Sequence, residues 1–125
     1  MSGAVLDSGA LVGFERNDRR VVGIVARALH HDDALLVPAG VVGQVWRDGG
    51  RQVRLVRLLG SPVCQVAALD DTAARAAGQR CGASATSDVI DASVAVLARQ
   101  RGLRVVTSDP DDLRRLDPGL DVRPV

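Results

Sequence analysis

At 125 residues the chain has room for one domain with its own core and not for two ordinary ones. Apolar residues make up 46% and charged ones 25%, which excludes a disordered segment and describes a soluble globular domain. The formal charge of +1 excludes a uniformly basic surface, so any affinity for nucleic acid has to come from a local patch.

Short apolar runs alternate with helical periodicity, the pattern of βαβ units around a mostly parallel sheet. Residues 4–6 form the first strand, and a short helix follows. Asp18 is placed to cap a second helix over 19–30, with Val21, Ile24, Val25 and Leu29 on one face. Leu35-Leu36-Val37 reads as a buried strand ended by Pro38, and 41–47 as helix. Asp48-Gly49-Gly50 breaks the pattern before a helix over 51–59. Residues 63–67 make the third strand, and Asp70 begins a helix running towards Cys81. A small-residue loop over 82–87 follows, where Thr86 or Ser87 can cap a helix over 88–101. Gly102 ends that helix, 103–107 is the fourth strand, and 121–125 is a candidate for a short fifth. The expectation is a single α/β domain over 1–125, its four- to five-stranded, mostly parallel sheet flanked by helices.

Three aspartates stand out in this layout. Asp7 closes the run Ala4-Val5-Leu6, and Asp109 follows Leu103-Arg104-Val105-Val106-Thr107-Ser108. Asp91 sits in the first turn of the helix that leads into the second run. If the two runs are neighbouring parallel strands, all three carboxylates converge at the carboxyl edge of one sheet, where open α/β folds bind ligands. Converging carboxylates repel one another unless they are protonated or share a cation. A hard divalent metal held by oxygen ligands resolves that conflict at pH 7. The plainer alternative for Asp88 and Asp91 is a favourable charge at a helix amino terminus.

Every basic residue other than histidine is arginine, so no lysine nucleophile or phosphate-binding lysine exists. Cys64 and Cys81 lack metal-site spacing and read as free thiols in a reducing compartment. The amino terminus lacks the positive region of a signal peptide, and no apolar stretch approaches a membrane span. These features point to the cytoplasm.

The motifs, in order, resemble a known family. Val5-Leu6-Asp7-Ser8-Gly9-Ala10-Leu11 is similar to the opening motif of PIN-domain ribonucleases. The same holds for Asp91-Ala92-Ser93-Val94-Ala95-Val96-Leu97-Ala98 and for Val105-Val106-Thr107-Ser108-Asp109-Pro110-Asp111-Asp112-Leu113. The small size resembles the VapC-type toxins of bacterial toxin–antitoxin pairs. The resemblance implies a metal-dependent endoribonuclease that uses Mg²⁺ or Mn²⁺ to activate a water against the RNA backbone. Carried over by position, Asp7, Asp91 and Asp109 are the metal-site acids, Asp112 a nearby acid, and Thr107 and Ser108 polar supports. It also implies an RNA substrate, a small antitoxin that buries the site and inserts a cationic group among the acids, and a homodimer.

One position departs from the family pattern. Aligning Val37 to Arg47 puts Gln44 where the family carries a Glu. An amide still offers a carbonyl oxygen or an NH₂, but brings no charge. Asp88, three residues before Asp91 on the same helix face, is the leading substitute. Glu15, the only Glu in the chain, is the next. The alternative is a degenerate PIN domain that binds RNA or protein without cutting. An aspartyl-phosphate receiver needs a lysine that is missing here, and a haloacid-dehalogenase phosphatase needs an Asp where Gly9 stands.

The RNA backbone has two candidate contacts. Arg47, Arg51, Arg54 and Arg57 recur at helical spacing, with Gly49-Gly50 placing the start of a continuous stripe at Arg51. Arg16, Arg19 and Arg20 form a second cluster suited to phosphate oxygens. Only Phe14 and Trp46 are aromatic, which argues against base-stacking platforms. Trp46 reads as core or as an interface anchor. His30-His31 at a helix end suits the helix dipole better than a metal.

Overall fold

A computed structural model describes residues 2–125. The apolar runs become five parallel strands in the order β3-β2-β1-β4-β5. They are β1 (Gly3–Leu6), β2 (Ala34–Pro38), β3 (Cys64–Ala67), β4 (Arg104–Thr107) and β5 (Val122–Pro124). The central strands run nearly without polar residues because both faces of a parallel sheet are covered. Seven helices supply that cover: α1 (Ser8–Glu15), α2 (Arg19–His31), α3 (Ala39–Val45), α4 (Val53–Leu59), α5 (Asp71–Ser84), α6 (Val89–Arg101) and α7 (Pro110–Leu116).

Connections from β1 to β2 and on to β3 step one way across the sheet, while β4 and β5 lie on the other side of β1. Right-handed crossovers therefore place α1 to α4 on one face and α5 to α7 on the other. The winding direction reverses between β1 and β4, which pair from Ala4↔Arg104 to Leu6↔Val106. Val5, Leu6, Leu11, Val37, Val94, Val105 and Val106 are fully buried around this junction. The crevice at its carboxyl end opens beside Asp7.

Several boundaries differ from those read in the sequence. Leu29 is 46% exposed; Ala28 takes the inward position instead. The stripe Val21, Ile24, Val25, Ala28 follows i, i+3, i+4, i+7, and Leu29 falls one step past it. α5 continues through Gly82 to Ser84, so the loop before α6 is shorter than expected. Asp88, rather than Thr86 or Ser87, caps α6 by accepting the Asp91 N–H at 3.0 Å. Asp70 likewise lies just outside α5 as its cap, not as its first residue. Pro38 stays in β2, in register with Ala67. Gly102 ends α6 in the left-handed region (φ 63°), as its position implies.

The segment between α3 and α4 is organised by Gln52, which carried no signal in the sequence. Its Oε1 accepts the N–H groups of Arg47 (2.8 Å) and Asp48 (3.0 Å). Its Nε2 donates to the Val45 carbonyl (2.8 Å) and to the Glu15 carboxylate (3.2 Å). Arg51 therefore lies in the turn and α4 begins only at Val53. Trp46 is 41% exposed, which rules out the core reading of that residue. Both cysteines are unpaired, and burial pushes the Cys64 thiol up to about 11. No single helix among the described residues is long and apolar enough to cross a membrane.

At the far side of the sheet, Arg99 on α6 grips Asp117 after α7 through two parallel bonds of 2.9 and 2.6 Å. Asp117 also accepts the Gly119 N–H at 3.0 Å, and a Cβ at Gly119 would meet the guanidinium. This clamp sets the path into β5. The Arg99 guanidinium holds the Asp117 carboxyl below its usual range, so its stabilisation is present above the unfolded value of 3.8 and is lost as pH falls through the folded one. Arg99→Met should lower the thermal midpoint at pH 7, and the deficit should shrink below about pH 3.8. Melting curves of both proteins at the two pH values check this; a pH-independent deficit would mean lost packing instead.

Candidate active site

The three aspartates are positioned by the ends of different elements. Asp7 directly follows β1, and its N–H bonds the Val106 carbonyl of β4 at 3.3 Å. Its carboxylate caps α1 by accepting the Ala10 N–H at 2.9 Å. The neighbouring Thr107 hydroxyl hydrogen-bonds Asp7 and accepts the Asp109 N–H at 2.9 Å. One fully buried hydroxyl thus ties the ends of β1 and β4 together. Asp109 stands at the cap position of α7 without making a side-chain capping bond. Its carboxylate remains free to face the crevice.

A cleft of about 560 Å³ opens here, lined by Asp7, Asp88, Asp91, Asp109, Asp112 and Gln44. Ser108 also lines it and packs against Gly9, where a Cβ would sit 1.8 Å from the serine Oγ and 2.8 Å from its Cβ. Only glycine at position 9 admits this approach. Asp18 lines the rim, a position its capping signal gave no reason to expect. Arg20 holds the Asp18 carboxyl below its usual range, so this acid is already satisfied. Asp111 lies outside the cleft, within 3.7 Å of Arg114.

Crowding is visible in the protonation behaviour. Burial pushes the Asp7 carboxyl up, against the pull of its bonds to Thr107 and Ala10, and Asp109 adds repulsion. Asp91 is pushed up to about 7, first by burial and then by Asp88, which also shares a hydrogen bond with it. Asp112 is raised through its hydrogen bond with Asp109 and the charge there. Asp7, Asp91 and Asp112 are thus all raised in one cleft, the response of like charges held together without a cation.

Oxygen donors in this number suit a hard divalent ion. Among the described residues, no three acidic, histidine or cysteine side chains already stand in an arrangement that holds an ion. The fit rests on donor chemistry and on the crowding that raises Asp7, Asp91 and Asp112, which a cation would relieve. Gln44 reaches the cleft as a neutral, exposed neighbour. Asp88 is both the cap of α6 and the nearest partner of Asp91. Glu15 is occupied by Gln52 and does not line the cleft.

Of the seven arginines considered for RNA contact, Arg16 alone lines this cleft. Arg19 lines a second groove further along α2. Arg47 donates to the Gly43 and Trp46 carbonyls at 3.2 and 2.6 Å, closing the end of α3. Arg54 donates to the Phe14 carbonyl and to Asn17, and lies over the Phe14 ring at 4.9 Å. Arg51 is an exposed partner of Asp48.

The sign of the carboxyl shifts has a consequence for stability. A carboxyl raised on folding contributes most below its unfolded value, 3.8 for Asp91, and loses that contribution as pH rises towards 7. In EDTA the thermal midpoint should fall between pH 5 and pH 8, and Asp91→Asn should fall less. Mg²⁺ or Mn²⁺ should raise the midpoint more at pH 8 than at pH 5. Calorimetry at both pH values checks this, and a flat profile in EDTA would contradict the crowded-acid reading.

Comparison with known proteins supplies the family. The family model described as "PIN domain" matches residues 4–118. Among solved structures, VapBC2 from Rickettsia felis, bound to a promoter DNA fragment, aligns with a TM-score of 0.73 at 12% identity, covering 98% of each chain. FitAcB from Neisseria gonorrhoeae aligns at 0.64 and 18%, covering 95% of each chain. Mycobacterium tuberculosis VapC20, a sarcin–ricin loop cleaving toxin, aligns at 0.59 and 18%, covering 95% of this chain and 96% of that one. No curated protein matches. With the family model spanning nearly the whole sequence, and the acidic cleft at its sheet edge, the chain belongs to the PIN-domain family.

Proposed function

We propose that the chain is a metal-dependent endoribonuclease, acting as a VapC-like toxin restrained by a small antitoxin. The observation that carries this reading is the convergence of Asp7, Asp88, Asp91, Asp109 and Asp112 in one cleft. Asp7, Asp91 and Asp109, with Asp88, would hold Mg²⁺ or Mn²⁺. Such an ion, when bound, supplies charge at the phosphate and lowers the pKa of a water.

The remaining side chains orient and balance this set. Thr107 fixes Asp7 and the Asp109 backbone relative to each other. Asp112 lies beside Asp109, whose hydrogen bond and charge hold the Asp112 carboxyl above its usual range. Gln44 can donate its NH₂ to a phosphate oxygen without adding repulsion. Arg16, at the same cleft, suits a neighbouring phosphate. The likeness to VapBC2 and to the toxin VapC20 supports the toxin role. A cation from an antitoxin fits a cleft in which carboxylates crowd one another. A homodimer would use the exposed apolar side chains Trp46, Val53 and Val56.

A second reading follows from Gln44 alone: a domain that binds RNA without cutting it. Purified protein should degrade total cellular RNA with Mn²⁺ or Mg²⁺, and EDTA or Asp7→Asn should abolish this. Loss should reach two or more orders of magnitude (about 10²-fold or more), since an acid of the metal set is gone. Equal cleavage by wild type and Asp7→Asn would mean contamination and sink the assignment. Cleavage gained only on Gln44→Glu would favour the non-cutting reading.

A further inference from the structure

A second groove, of about 1040 Å³, runs beside α2 towards the opposite edge of the sheet. Arg19, Arg20 and Arg27 come from the helix, and Arg104 and Arg123 from β4 and β5. The strand register explains the second row. Ala4 pairs with Arg104, and Val106 with Arg123, so both arginines project from the same sheet face as Ala4. Asp33, Asp121 and His31 also line the groove, leaving it net positive. Arg20 is paired with Asp18. Among the described residues Arg19, Arg27, Arg104 and Arg123 make no ion pair with a carboxylate, although the chain carries almost as many acids as arginines.

The groove begins next to the acidic cleft along the chain, at the start of α2. Arg16 and Asp18 line the cleft, and Arg19 and Arg20 line the groove. From there Arg27 lies roughly 12 Å along the helix axis. Gly23 sits between them on the groove wall, where an added Cβ would meet nothing within 4 Å. Packing therefore does not demand that glycine.

We propose that this groove carries the sugar-phosphate backbone of a single RNA strand leading away from the acidic cleft, with Arg19, Arg27, Arg104 and Arg123 on its phosphates. The proposal rests on the nuclease reading of the cleft and adds the path of the substrate. Two rows of unpaired guanidinium groups facing each other suit a phosphate chain, which each can contact through two N–H groups. The lack of aromatic residues in the groove makes the contact electrostatic and indifferent to sequence.

Binding is read by fluorescence anisotropy with a labelled twelve-nucleotide RNA in EDTA, so that no cutting intervenes. The full chain is compared with R27Q/R123Q and with R75Q/R114Q, which removes the same charge outside both clefts. R27Q/R123Q should weaken binding roughly tenfold at about 50 mM salt and flatten the log–log salt slope by about 1.4, at ~0.7 per phosphate contact. R75Q/R114Q should match the parent. Equal losses in both variants would mean long-range charge alone and overturn the groove, as would no loss in either. Gly23→Glu guards against misfolding: it improves helix propensity yet should weaken binding, whereas Gly23→Gln should not. Tighter binding of duplex DNA than RNA, lost on the same substitutions, would overturn the RNA assignment. Absent metal-dependent cleavage with groove binding intact would sink the nuclease reading and leave the groove standing. Cleavage by R27Q/R123Q at the parent's KM on long RNA would sink the groove alone.

Discussion

Mutual repulsion among carboxylates governs how this domain is put together at its carboxyl edge. Asp18, held by Arg20, and five further acids share one cleft, a costly arrangement in the absence of a cation. The fold sustains it by giving several of them a second task. Asp7 caps α1, and Asp88 caps α6 through the N–H of Asp91. Helix amino termini carry partial positive charge, so each cap offsets part of the repulsion where it arises. What the caps leave uncompensated appears in the raised carboxyls of Asp91, beside Asp88, and of Asp112, beside Asp109.

The sheet order makes that concentration possible. Because winding reverses between β1 and β4, the helices that follow them leave on opposite faces and the crevice stays open. Thr107 bridges the two strand ends, and the Gly9–Ser108 contact brings the α1 turn against the β4 turn. The same winding packs α2 against β2, to one side of β4 and β5. Arg104 and Arg123 thereby face a groove rather than a core. Acidic cleft and basic groove are two consequences of one topology.

Gln44 acquires its meaning within this balance. A glutamate there would add another negative charge to a cleft in which the Asp91 carboxyl is already pushed up to about 7. The amide keeps hydrogen-bonding capacity without deepening the conflict, and Asp88 supplies charge from the cap of α6. Other polar residues are held by the scaffold. Glu15 is committed to Gln52, and Arg47 and Arg54 to backbone carbonyls.

How much of this was legible in the chain depends on the range of the interactions involved. Apolar runs and their alternation carry the α/β class and strand order of appearance, because burial on both faces of a parallel sheet demands continuous apolar segments. Asp7, Asp91 and Asp109 were legible too, since each directly follows a strand or opens a helix. Local signals misled where two solutions competed within one turn: Asp88 over Ser87 as a cap, Ala28 over Leu29 as the inward face. Pairings between distant segments left no trace. Gln52 with Glu15 spans 37 residues and Arg99 with Asp117 spans 18. The sequence by itself determined which residues could carry charge to a sheet edge. Only the tertiary structure decided which acids share a cleft, which arginines are spent on carbonyls, and which are left to face a groove. Those outcomes depend on distances between elements, and local periodicity contains no record of them.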